Sequence, residues 1–194
     1  MNPNWAYDRL HKDPNHKDRD ALEQTISTSA EYSCLYAEHV IKGRFVLGEY
    51  VISKDAEYSC EYAKYVIHER FVLGEAAISE DAYTSFNYAN HVIKGRFELG
   101  EAAISQEARS SYFYARHVIE GRWELGEAAI SQAAPRWSYL YAIDVIQGRL
   151  PDIMHRKMLA FGITDSSDKD VKKYFGKVCT LKRKDTKNES RTSL

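Results

Sequence analysis

The chain has 194 residues, 27 Lys plus Arg against 28 Asp plus Glu, 44% hydrophobic residues and a mean hydropathy of −0.53. That length can bury a core of its own, a formal charge of −1 supplies no overall field to hold a polyanion, and no run approaches the roughly 18 apolar residues that cross a bilayer. A membrane partner is therefore not expected, and nucleic acid starts behind protein as a partner.

Residues 1–20 are polar around one aromatic cluster, Trp5 and Tyr7, and lack the apolar core of a signal peptide. Three scattered cysteines make no disulfide framework, so a reducing cytoplasm is the expected location. The segment reads as an N-terminal cap.

From Ala30 the chain repeats itself with a period of 26 residues: Arg44, Arg70, Arg96 and Arg122 are successive members of one column. A fifth copy starts near Pro135 with one inserted residue and breaks off at Pro151; half a copy, Ala21 to Ser27, precedes the first. The repeat domain is thus 21–151. In every copy Ser, Tyr, Ala, Val and Ile recur, in the first as Ser33, Tyr36, Ala37, Val40 and Ile41. The spacing i, i+3, i+4, i+7, i+8 is an apolar helical stripe.

Ser53, Ser79, Ser105 and Ser131 just before the stripes are expected to cap helix N-termini, and Gly43, Gly95, Gly121 and Gly148 just after them to take the left-handed C-terminal position. The long helix of the second copy is read as Asp55 to His68, and Leu73, Glu75, Ala76, Ala77 and Ile78 as a short second helix. Neither helix can bury its stripe alone, so the fold class predicted is all-α: an α-solenoid of about five two-helix repeats with atypical caps. Capping helices are placed at 152–178, from Asp152 to Gly162 and from Asp170 to Val178, and a disordered basic tail at 179–194. Residues 165–194 hold nine Lys or Arg and five Asp or Glu, which leaves the rest at −5.

The motif YSxxYAxxVIKGRFxLGExxI, carried by Tyr32 to Ile52 and its echoes, resembles a tyrosine-rich helical repeat of uncharacterised tailed-bacteriophage proteins. The resemblance covers roughly Ala21 to Pro151. It implies a helical repeat fold and a phage accessory protein acting in the host cytoplasm, and brings no activity or catalytic residues with it. The second copy departs from it with His68 and Glu69 in place of Lys and Gly.

Two polar columns recur: Arg44, Arg70, Arg96, Arg122 and Arg149, and Glu23, Glu49, Glu75, Glu101 and Glu127. An arginine ladder could clamp phosphates, but five-residue spacing to an equal number of carboxylates points to a repeated structural ion pair. Tyr36, Tyr62, Tyr88, Tyr114 and Tyr141 could stack bases, yet they lie on the apolar stripe and read as core. The aromatics of changeable columns, Tyr32, Tyr58, Tyr83, Phe86, Tyr112, Phe113 and Tyr139, are freer to meet a ligand.

His39, His91 and His117 share a column, but stacked helices lie about 8–10 Å apart, too far to share a zinc ion, and the same spacing makes Cys34 and Cys60 free thiols. No metal and no cofactor is expected. The sequence holds no P-loop, HExxH, GxSxG, EF-hand or dinucleotide fingerprint, and an enzyme is not expected.

What remains is a protein-interaction scaffold that occludes a host or viral protein. Its candidate contacts are the copy-variable positions Glu38, Lys64, Asn90 and Arg116, with His39, Tyr65, His91 and His117 beside them. The alternatives are single-stranded nucleic-acid binding, helped by Lys182, Arg183 and Lys184, and a structural role in the virion.

Overall fold

The computed structural model describes residues 2–165 and 167–177. The protein is all-helical, with no strand among the described residues. It divides into two compact units, Met1–Ile104 and Ser105–Leu194, so the division falls inside the repeat region and not at its edges.

The first unit opens with α1 (Pro3–Lys12) and α2 (Arg19–Ile26), which pack together. Asn2 caps α1, its side chain accepting from the Asn4 amide at 2.9 Å, and Pro3 takes the first helical position, where a missing N–H costs nothing. The boundary expected at residues 20/21 falls within α2. Then come α3 (Ala30–Tyr36), α4 (Val46–Ile52), α5 (Ala56–Glu61), α6 (Glu75–Ile78), α7 (Ala82–Tyr88) and α8 (Glu101–Ile104). Helices α3, α5 and α7 run on without a break into π-helical turns at Ala37–Ile41, Tyr62–Ile67 and Ala89–Ile93. Single 3₁₀ turns, Val72–Gly74 and Glu98–Gly100, lead into α6 and α8. Among the long helices α3 packs on α5 and α5 on α7; among the short ones α4 meets the 72–74 turn and α6 the 98–100 turn.

The second unit repeats the scheme with α9 (Ala108–Tyr114), α10 (Glu124–Gln132), α11 (Pro135–Leu140) and α12 (Asp152–Thr164); α9 and α11 again end in π-helical turns. Residues 169–177 are helical. The tail expected at 179–194, with Cys179 and Lys182 to Lys184, lies outside the described residues.

The stripe is the core. Tyr36, Ala37, Ile52, Tyr62, Ala63, Ile78, Tyr88 and Ala89 are fully buried in the first unit, and Tyr114, Ala115, Ile130, Tyr141 and Ala142 in the second. The π-helical turn spreads its residues over a wider circle, which carries Val40 and Ile41 off the stripe to half-buried positions.

Three close contacts set the unit of packing. Ser33, Ser59 and Ser85 donate to the carbonyls of Ile26, Ile52 and Ile78 at 3.0, 2.8 and 2.8 Å, tying each long helix to the short helix before it. Gly48, Gly74 and Gly100 press against the same serines: a Cβ on Gly74 would stand 2.4 Å from Ser59 Oγ and 2.7 Å from Phe71 Cδ1. Tyr36, Tyr62 and Tyr88 meet Phe45, Phe71 and Phe97 edge-on, with ring centres 5.1, 5.1 and 5.2 Å apart.

Two sequence expectations about helix ends are corrected. The N-caps are Ser29, Asp55 and Asp81, whose side chains accept from the amides of Tyr32, Tyr58 and Thr84 at 3.5, 3.0 and 2.7 Å. Ser53 and Ser79 instead donate back to Tyr50 and Ala76 carbonyls at the end of the preceding helix, and Ser131 donates to Ala128. At the C-terminal ends the left-handed residue is Lys42, His68, Lys94, Glu120 or Gln147, with φ of 54–55°, and none of the described glycines has positive φ. Each glycine stands one place later: the Gly43 amide reaches back six residues to the Ala37 carbonyl at 3.1 Å, and Gly95 to Ala89 at 3.2 Å.

Candidate functional site

The Arg, Glu and Tyr columns converge on one buried polar rung per repeat. Tyr62 accepts from the Phe45 amide at 2.9 Å and donates to Glu49 Oε1 at 3.0 Å; Tyr88 does the same with the Phe71 amide (2.8 Å) and Glu75 (2.9 Å). The arginine closes the rung from outside: Arg44 Nε lies 2.9 Å from Glu49, and both Arg70 and Arg96 hold their glutamates, Glu75 and Glu101, through two nitrogens at 2.8–2.9 Å. In the second unit Arg122, Glu127, Tyr141 and the Trp123 amide form the same rung. At the N-terminal end Tyr36 donates to Glu23 at 2.7 Å, while Arg19 supplies the guanidinium from four residues away.

Electrostatics follow from this geometry. The hydrogen bond from Arg70 holds the Glu75 carboxyl below its ordinary range, against the effect of burial and with help from Tyr88. Burial, with the neighbouring carboxylate, pushes the phenols of Tyr36 and Tyr88 far up. The rung keeps its guanidinium half-exposed but spends that side chain on a carboxylate, so these arginines present no unpaired fork for a phosphate. Arg149 departs from the column: its partner is Asp152, 2.9 Å away, because the place of the glutamate is taken by the buried Met154.

The outer face of the long helices is a different surface. Between α5 and α7 runs a groove of about 720 Å³, lined by Asp55, Glu57, Cys60, Glu61, Lys64, Tyr65, Asp81, Tyr83, Thr84, Asn87 and His91 among others. Its charge is predominantly acidic. Glu61 has its carboxyl raised by burial first and then by Glu57 and Glu38, and burial together with Lys64 lowers the imidazole of His91. Tyr65 and Tyr83 are about half exposed on its walls. Lys64 Nζ sits 4.8 Å from the Tyr65 ring centre.

Of the predicted contacts, Lys64, Tyr65 and His91 come together on this groove; Glu38, His39 and Asn90 lie off it, with His39 4.0 Å from the Glu38 carboxylate and Asn90 3.5 Å from the His91 ring nitrogen. Arg116 is engaged within the chain: it donates to Tyr112 at 2.6 Å and to Asp144 at 2.9 Å, and Tyr112 also donates to Asp144. The change of His to Asp in the fifth copy's column supplies that carboxylate. His117 is exposed and stacks on Phe113 at 5.9 Å. Of the changeable aromatics, Phe86 and Tyr112 are buried and Tyr83 is exposed.

Sequence reasoning missed Asp55, Glu57, Glu61 and Asp81. The signal was available: position 57 is Glu31, Glu57, Tyr83 and Arg109 down the copies, and position 61 is Leu35, Glu61, Asn87 and Phe113. These columns vary as much as those chosen, but sit in the N-terminal half of the helix.

Cys34 and Cys60 are buried free thiols, pushed up by burial to about 12 and about 11, so both stay protonated at neutral pH. Among the described residues no group of three or more His, Cys, Asp and Glu could hold a metal ion, and no described helix is long and apolar enough to cross a membrane. No family model matches the chain, and neither a curated protein sequence nor a solved structure matches it.

Proposed function

We propose that the chain is a short α-solenoid of about five two-helix repeats that acts without chemistry of its own, as a scaffold binding and occluding a protein. The observation that carries this reading is the groove between α5 and α7, where copy-variable Lys64, Tyr65 and His91 line the same space as four carboxylates and a second exposed tyrosine, Tyr83. Its occupant is an extended protein segment rich in Lys or Arg: carboxylates meet the cationic heads, and tyrosine faces take the aliphatic stems. Occlusion needs only shape and buried area, which a groove on stacked helices supplies.

The same carboxylates count against the single-stranded nucleic-acid reading, since a phosphodiester entering the groove would meet Asp55, Glu57, Glu61 and Asp81. The rung arginines Arg44, Arg70, Arg96 and Arg122 are already engaged by carboxylates.

The test is affinity capture of the full chain from lysate, with and without nuclease, run beside a Glu61→Lys/Tyr83→Ala variant. A discrete protein that survives nuclease and is lost from the variant is the expected outcome. Recovery of RNA or DNA, or a protein retained equally by the variant, overturns the reading.

A further inference from the structure

A second surface has no part in the groove. Val46, Leu47, Tyr50, Val72, Leu73 and Leu99, on the short helices and their leading turns, are 43–75% exposed. The leucine column (Leu47, Leu73, Leu99) recurs without change, although the neighbouring Ser–Gly and Tyr–Phe contacts use other side chains. Its neighbours in space are equivalent residues: α4 meets the 72–74 turn and α6 meets the 98–100 turn, so the exposed leucines form a continuous row across the first unit. The copies have diverged elsewhere, as at Cys34, Cys60 and Phe86, so descent from one ancestral unit does not by itself account for an unchanged exposed Leu.

The row leaves on the order of 600 Å² of apolar side chain in water, at the top of what a monomer usually shows, and approaches the ~800 Å² per partner of a standard interface. Within the first unit its two ends differ in charge; the same column continues in the second unit as exposed Leu125. The Tyr50 end carries Lys54, whose Nζ lies 5.0 Å from the Tyr50 ring centre; the Leu99 end carries exposed Glu98.

We infer that this row is a self-association surface, occupied by the same row of a second copy in antiparallel sense about a twofold axis near Leu73. That sense sets Leu73 against Leu73, the Val46–Leu47–Tyr50 end against Leu99, and Lys54 of each copy opposite Glu98 of the other. A second copy fits because it presents leucines at the same spacing, and one twofold axis satisfies both charged ends at once. Glu98 replaces the valine found at 46 and 72, which breaks the apolar run and favours a closed pair over a growing stack.

Sedimentation equilibrium on the full chain tests this, with far-UV circular dichroism as the control for folding. The wild-type chain is expected to show a concentration-dependent dimer in the micromolar range. Leu73→Glu, at a site already 63% exposed, is expected to be monomeric with unchanged helicity, and Val72→Lys to repeat the result should the first variant lose helicity. Lys54→Glu weakens the dimer several-fold, and Lys54→Glu/Glu98→Lys restores it.

A wild-type chain that stays monomeric throughout, including one that co-floats with phosphatidylglycerol vesicles, overturns the inference. So does a dimer that persists in Leu73→Glu and Val72→Lys, or a charge swap that fails to restore what Lys54→Glu removes. The groove variant Glu61→Lys/Tyr83→Ala leaves this equilibrium unchanged, which keeps the two readings separable.

Discussion

In the first unit the hydroxyls of Tyr62 and Tyr88 each accept a backbone amide and donate to a glutamate that an arginine holds from outside. At the closing end of the second unit, Tyr174 accepts the Leu150 amide at 3.2 Å, but the glutamate is replaced by Met154 and the hydroxyl turns to His155 Nδ1 at 2.6 Å. The amide is common to both; the ion pair is not. Leu150 stands where Phe45 and Phe71 stand in their copies, and its N–H is buried with no helical partner. A buried donor must be satisfied, and a tyrosine reaching over from the next helix is the device this chain uses. The carboxylate and guanidinium are additions made where the sequence supplies them.

The largest effect that tests this scheme comes from backbone approach. Gly74→Ala puts a Cβ 2.4–2.7 Å from Ser59 and Phe71, and should destabilise the chain by about 3 kcal/mol in urea unfolding. Gly95→Ala, at a position with nothing nearer than the Ile93 methyl 4.0 Å away, should change almost nothing. Equal losses at the two positions would mean that the glycines are kept for conformation and not for space.

Next comes the rung itself. Tyr88→Phe orphans the buried Phe71 amide and removes a bond to the Glu75 carboxylate, a loss of about 2 kcal/mol; Tyr174→Phe removes bonds to the Leu150 amide and the His155 ring, neither of them a carboxylate, and should cost about 1 kcal/mol. Should the two variants unfold at the same urea concentration, the carboxylate adds nothing to the rung.

These elements differ in how plainly the sequence showed them. The long helix of the second copy was legible almost to the residue, because the stripe positions Ser59, Tyr62 and Ala63 are all buried and Asp55 and His68 flank the helix. The π-helical turns were not, since a hydrophobic period cannot distinguish bonds closed over four residues from bonds closed over five. Tyr174 escaped notice as a rung because it follows Leu150 by 24 residues, where the interior rungs keep 17 or 18. The Arg116–Asp144 pair was not legible because Asp144 lies 28 residues away, in a column read only as an irregular histidine. Half of the groove was legible through Lys64, Tyr65 and His91; the acidic half was passed over in favour of the helix's other end.

The left-handed helix ends provide a gain of stability. Lys94 has φ of 55°, a conformation that costs a side-chain-bearing residue about 1 kcal/mol, while Gly95 after it has no need of positive φ. Lys94→Gly should therefore raise stability by about 1 kcal/mol, measured by the urea midpoint. No gain would show that the Lys94 side chain contributes as much as the strain removes.

The smallest change at neutral pH is expected from the outermost member of the rung. Arg70 is more than half exposed, so Arg70→Gln removes a pair that solvent already screens, and the midpoint at pH 7 should move much less than in Tyr88→Phe. The part Arg70 plays is read from how that small difference changes on acidification. Glu75 is held below its ordinary pKa of 4.5, with the Arg70 hydrogen bond as the first cause, so the stability it contributes is present above that value and is lost as the pH falls through the depressed one. Arg70→Gln should lift the pKa of Glu75 towards the ordinary value, so that the wild-type advantage, greatest near neutrality, shrinks steadily below pH 4.5. Parallel wild-type and variant curves down to the acid limit would mean that the Tyr88 hydroxyl holds Glu75 ionised without the arginine, leaving Arg70 no part in the rung.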